Sequence, residues 1–242
     1  MKNKLTLTTL AALAGFAGAA NAQVFSEDFE TDGQGTRYTA STPFNDGSSD
    51  HWNRTDGSDI NNITGAYTSI SGSSFWAAED TDDDGGNEND EQTLVFTGID
   101  ITGQSGLTFS GLFGAGNENG AGSSAYDSTD FIKVTYSIDG GSFQNLIWFS
   151  YQDNGDAFNE PIGLDTDFDG VQDGTLLGTA LQEFSAPISG AGSSLDLSIA
   201  VHMDSADEEI AFDNFSIVPE PSAFGLIAGM LGFTWVMLRR RG

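Results

Sequence analysis

A period of two constrains this chain more than any other feature. In SSLDLSIAVHM (193–203) apolar and small or polar residues alternate, which is the pattern of a strand with one buried and one wet face. Eight other runs read as strands by alternation or by aromatic and β-branched content: VFSEDFE, SFWAAE, EQTLVFTGI, GLTFSGLF, DFIKVTYSI, FQNLIWFSY, LQEFSAPI and EIAFDNFSIV. Turn residues separate them, and Asp139-Gly140-Gly141, between DFIKVTYSI and FQNLIWFSY, is the strongest hairpin signal. With 31 glycines, many Asn and Asp to supply positive φ, and 18 phenylalanines that suit a pleated surface, the composition favours short strands and frequent turns. The predicted fold is all-β, a double-sheet jelly-roll sandwich over residues 23–218.

The two ends differ from this middle. MKNKLTLTTLAALAGFAGAANAQ has Lys2 and Lys4, an apolar stretch from about Leu10 to Ala20, and small residues at Ala20 and Ala22 before Gln23, so residues 1–22 read as a secretory signal peptide. At the other end, Ser222 to Leu238 carries no charge, and as a helix it would span roughly 25 Å, near the bilayer hydrocarbon thickness. Arg239, Arg240 and Arg241 would then stay cytoplasmic. The sequence therefore predicts an exported domain with one C-terminal transmembrane helix serving as an inner-membrane anchor.

Between Gln23 and Val218 stand 35 acidic and three basic residues. A field of that sign repels phosphate backbones and excludes nucleic acid as a natural partner, while it attracts divalent cations. A solvated acidic surface accounts for most of these charges. The chain has no cysteine, so core packing or bound metal must supply the stability that disulfides give many exported domains.

Pro219-Glu220-Pro221, the apolar segment after it and the terminal arginines Arg239–Arg241 together resemble the PEP-CTERM sorting signal of Gram-negative exported proteins. The resemblance covers residues 219–242. It implies recognition and cleavage near Pro-Glu-Pro by an exosortase, then release or transfer to the surface of a polysaccharide-producing bacterium. A plain tail anchor is the alternative. The two prolines would hold the segment extended and accessible to a protease. The first and last runs of the domain, VFSEDFE and EIAFDNFSIVPEP, resemble the first and last strands of concanavalin-like and carbohydrate-binding jelly rolls. That likeness implies that the two strands lie side by side and that Glu27 or Asp28 sits near Asp213 around a structural calcium.

Two loops carry calcium-type spacing. In EDTDDDGGNENDEQ, residues Asp80, Asp82, Asp84, Gly85, Glu88 and Glu91 fall at positions 1, 3, 5, 6, 9 and 12 of an EF-hand loop, although strand-like flanks replace the helices of that motif. In LDTDFDGVQDG, residues Asp165, Asp167, Asp169, Gly170 and Asp173 match positions 1, 3, 5, 6 and 9, with Leu176 where the closing glutamate would stand. An ion-free acidic loop is the alternative in each case. Hard oxygen donors without nearby Cys or His argue against zinc or copper.

Pyranose rings stack on exposed aromatics. Trp52, in the polar stretch DHWNRTDG, and Tyr126 are the carbohydrate-binding candidates, while Trp76 and Trp148, inside apolar runs, read as core. His51 with Asn53 and Arg54 makes only a weak hydrolytic cluster, and the ectodomain has no GxSxG, HExxH or P-loop pattern. The expected function is that of a non-catalytic surface or extracellular-matrix protein, associated with exopolysaccharide or other surface proteins and stabilised by calcium. The alternatives are a dedicated lectin-like carbohydrate-binding module and a secreted polysaccharide hydrolase using two carboxyls.

Overall fold

Alternating runs form strands because one face of each can leave water, and the computed structural model shows where that face goes. It describes residues 23–45, 50–60, 67–82, 91–116, 125–153, 155 and 160–219. Signal and sorting segments, with Glu220, Pro221 and Arg239–Arg241, lie outside the described residues. Among the described residues there are thirteen strands and no helix: β1 (Phe25–Glu27), β2 (Thr39–Ala40), β3 (Phe44–Asn45), β4 (His51–Thr55), β5 (Phe75–Glu79), β6 (Gln92–Asp100), β7 (Leu107–Gly116), β8 (Phe131–Ile138), β9 (Gln144–Tyr151), β10 (Ile162–Asp165), β11 (Gln182–Ile188), β12 (Ser194–His202) and β13 (Glu209–Pro219). All nine expected runs are strands.

The strands make two antiparallel sheets. The first runs β11-β7-β13-β5-β4-β3, with β1 also on β13; the second runs β10-β9-β8-β12-β6-β2. From β5 to β7 and again from β11 to β13 the chain alternates between sheets, giving the jelly-roll sandwich. The expected hairpin joins β8 to β9. Asp139 (φ 51°) and Gly140 (φ 71°) take consecutive left-handed conformations, and Gly141 N–H donates to the Ile138 carbonyl at 3.0 Å. This is the two-residue turn whose twist matches paired strands.

Aromatic rings fill the space between the sheets. Phe215 meets Phe29, Phe109, Phe113 and Phe212 at centroid separations of 5.4–5.7 Å, and Phe113 meets Phe149 across the sandwich at 4.9 Å. Each such ring contributes about 1.5–3 kcal/mol by leaving water. A Cβ at residue 111 would come within 2.6 Å of the Phe215 ring, so glycine there admits the ring.

A smaller cluster of Ile60, Tyr67, Phe75, Ala77, Leu181 and Ala211 covers the other side of the first sheet over β5 and the adjoining part of β13. All five residues of β5 are consequently buried. The second sheet keeps simple alternation: in β12 the odd positions Leu195 to Val201 are buried and the even positions are partly exposed.

Candidate functional site

The partly exposed side of the second sheet collects an aromatic and cationic strip. Register sets it: His202 stands opposite Phe131, Lys133 opposite Trp148, and Trp148 opposite Asp165. Within β8, Ile132 and Val134 point into the core, so Phe131 and Lys133 point out. The Lys133 ammonium lies 3.6 Å from the Phe131 ring centroid and 4.6 Å from that of Trp148. His202 stacks on Phe131 at 5.8 Å. Burial holds the Lys133 ammonium below its ordinary pKa, while Glu91 and Asp165 act in the opposite direction. Flat ring faces beside charged donors and acceptors can hold a sugar by stacking and hydroxyl hydrogen bonds.

The 165–173 loop adjoins this strip. Phe168, at its centre, packs edge-on against Trp148 at 5.6 Å. Asp165 is buried at the end of β10; its Oδ1 accepts Phe168 N–H at 2.7 Å and its Oδ2 accepts Gly170 N–H at 2.9 Å. These bonds fold the loop back, with Phe168 (φ 64°) and Gly170 (φ 95°) left-handed. Asp165, Asp167 and Asp169 bring carboxylate oxygens within 4.8 Å of one another. Partial desolvation, then the charges of Asp169, Asp173 and Asp165, raise the pKa of Asp167. Asp173 turns to Thr166 instead, accepting its N–H and its hydroxyl at 2.8 Å each, and these bonds lower its pKa. Three oxygen donors therefore fit a hard divalent cation, and the fourth expected ligand is engaged elsewhere.

At the seam of β1 and β13 the expected neighbours do meet: Phe25 pairs with Ile217 and Glu27 with Phe215. A register shift between Asp213 and Ser216, with Asn214 at φ 50°, separates the part of β13 that pairs with β5 from the part that pairs with β1. Asp213 is buried there, accepting Ser71 N–H and Asn214 N–H at 2.6 Å each. Burial pushes its pKa up to about 7, and Glu30 and Asp28 add to the rise. Glu27 is engaged by Arg37, whose Nε and Nη2 reach its carboxylate at 2.6 and 3.0 Å. Asp28 acts on Asp213 through its charge. Glu30, which sequence reading did not single out, accepts Ser73 and Ser74 N–H at 2.7 and 2.8 Å.

Other candidates are corrected or lie outside the description. Trp52 is fully buried in β4, its ring 5.1 Å from that of Trp76, so it presents no face to a sugar. Tyr126 is also enclosed, its hydroxyl 2.6 Å from the Gly116 carbonyl and 2.8 Å from that of Glu209. Trp148 reverses the opposite assignment: Leu146, Ile147 and Phe149 pack into the core, whereas Trp148 is on the outer, partly exposed side. Of the 80–91 loop, Asp84 and Glu88 lie outside the described residues; Asp80 is left-handed (φ 42°) and Asp82 and Glu91 are exposed. His51, of the weak cluster with Asn53 and Arg54, is buried in β4, and burial lowers its pKa.

No family model and no curated protein matches the sequence. Solved structures similar to the chain include the CBM22-1 xylan-binding domain of Paenibacillus barcinonensis Xyn10C, at 14% identity and TM-score 0.38, covering 84% of this chain and 98% of that one. TmCBM61 in complex with beta-1,4-galactotriose aligns at 12% identity and TM-score 0.39, covering 80% and 94%. The K3 cleaved adhesin domain of Lys-gingipain from Porphyromonas gingivalis aligns at 16% identity and TM-score 0.40, covering 81% and 98%. At such values the likeness transfers neither a ligand nor a chemistry to this chain.

Proposed function

We propose that this chain is an exported, non-catalytic surface or extracellular-matrix protein that associates with exopolysaccharide through the outer side of its second sheet. The observation that carries this reading is the strip of Phe131, Lys133, Trp148 and His202 on a partly exposed sheet face. A sugar ring would stack on the exposed part of Trp148, with Phe131 and His202 bounding the strip, while Lys133 and nearby carboxylates take hydroxyls. Calcium at Asp165, Asp167 and Asp169 would fix the loop bearing Phe168, which packs against Trp148, and so would couple the ion to the platform. The ion would also offset a strongly acidic domain. Residues 219–242 would deliver the domain through a transient inner-membrane anchor and exosortase cleavage, a reading supported by the Pro-Glu-Pro, apolar and arginine order of the sequence.

Calorimetric titration of the full chain in detergent with the producing organism's exopolysaccharide, first in calcium and then in chelator, tests this. Saturable binding that weakens in chelator is expected. Absence of binding in both conditions would refute the polysaccharide reading and redirect the search to other surface proteins.

A further inference from the structure

A second acidic group forms where β8 begins beside the connection from β12 to β13. Asp127, Asp130 and Asp204 place carboxylate oxygens within 4.8 Å of one another. Two oxygens on one calcium, each at about 2.4 Å, can lie at most about that far apart. Asp130 is 2% exposed. Its Oδ2 accepts Asp127 N–H at 2.5 Å, while no N–H or hydroxyl donor among the described residues reaches its buried Oδ1. Glu208, also 2% exposed, brings a fourth carboxyl into hydrogen-bonding contact with Asp130 and accepts Asp204 N–H at 2.9 Å. The Thr129 hydroxyl joins the set from outside, 2.7 Å from Asp127 Oδ1 and 2.8 Å from Asp204 Oδ2.

The domain's own cations are committed elsewhere. Arg37 pairs with Glu27, Arg54 donates to the Glu30 carbonyl and Ser74, and Lys133 lies over Phe131 and Trp148. Two carboxylates in contact are both acceptors, so a proton or an external cation must lie between them.

We propose that Asp127, Asp130, Asp204 and Glu208 form a calcium site, separate from the 165–169 loop, that ties the entry of β8 to the β12–β13 connection. All donors are hard oxygens, and carboxylates from two chain segments suit the irregular, oxygen-rich shell of calcium. A doubly charged ion would take the proton's place and leave the carboxylates ionised. The site requires no sugar ligand, so its fate is independent of the polysaccharide reading.

The test is calcium titration of the full chain in detergent, by calorimetry and by melting. The parent carries Asp167→Asn and Asp169→Asn, which disable the other loop, and is compared with the same chain carrying Asp130→Asn and Asp204→Asn. The site predicts about one bound equivalent fewer in the second protein, a smaller calcium-dependent rise in melting temperature, and a melting temperature in chelator no lower than the parent's, because charge repulsion is gone. Should that protein fail to fold, Asp127→Asn alone, at a partly exposed position, should weaken the same equivalent by about tenfold. Equal stoichiometry and equal calcium response in parent and variant, or a parent that binds no calcium, would overturn the proposal.

Discussion

The two sheets bury their inner faces alike and differ in what happens outside. The first is covered on both sides only over β5 and the adjoining parts of β7 and β13, by the aromatic core and by the Tyr67–Phe75–Leu181 cluster, whereas its edge strand β11 keeps an exposed outer face. The second leaves alternate side chains partly exposed, and there Trp148, Phe131, Lys133 and the 165–169 loop come together. On the second sheet a large aromatic side chain thus has two meanings, set by its face: Phe96 and Phe149 belong to the core, while Phe131 and Trp148 stand on the outer side. Inward or covered rings hold the fold, and outward rings are available to a ligand.

Substitutions can break that contrast. Phe215→Ala, which removes a ring in contact with Phe29, Phe109, Phe113 and Phe212, should cost about 3–5 kcal/mol in denaturant unfolding. A smaller loss would mean that the core is looser than its ring contacts imply. Calcium acts next. At a hundredfold excess over its Kd, one ion adds about 2.7 kcal/mol, or roughly 5–10 °C of melting temperature for a domain of this size. Asp167→Asn should remove that part of the rise due to the 165–169 loop, and a melt indifferent to both calcium and chelator would eliminate ion binding at all the acidic sites.

The acids also set a pH dependence. Asp213 is raised from 3.8 to about 7, so between those values the folded chain holds a proton that the unfolded chain has released. In chelator, this contribution is fully present below pH 3.8 and is lost as pH rises through about 7; Asp130 and Glu208, also raised, act in the same direction. Denaturant midpoints in chelator should therefore fall from mildly acid to neutral pH, and calcium should reduce that fall. Midpoints that rise over the same range would show that these acids are not buried as described. At the small end, Lys133→Met should change stability by no more than about 1 kcal/mol, the scale of a partly exposed cation–π contact.

Much of the fold was legible because alternation is a local signal: β6, β8 and β12 show it in nearly every residue. β4 was missed because HWNRT is mostly polar, although its period places Trp52 inward. Polar neighbours along the chain made Trp52 look exposed, when its surroundings are set by Trp76 and Phe212 across the sheet. Trp148 was misplaced for the converse reason. An apolar run was taken whole as core, although Ile147 and Phe149 face inward and Trp148 faces out. Tyr126 has no strand pattern around it, and distant carbonyls of Gly116 and Glu209 decide its position. The 165–169 spacing was readable because its donors lie in one loop. Asp130 and Glu208 meet only through tertiary structure, and no spacing rule connects them.

The central claim is that the outer side of the second sheet is the polysaccharide-facing surface, and Trp148→Ala tests it most directly. Retention of the full chain on exopolysaccharide would be compared with that of the variant, both in calcium, with a melt of each protein alongside. The account predicts that retention falls severalfold while stability drops by only about 1 kcal/mol. Unchanged retention by a folded Trp148→Ala protein would contradict it and move the binding surface away from this face.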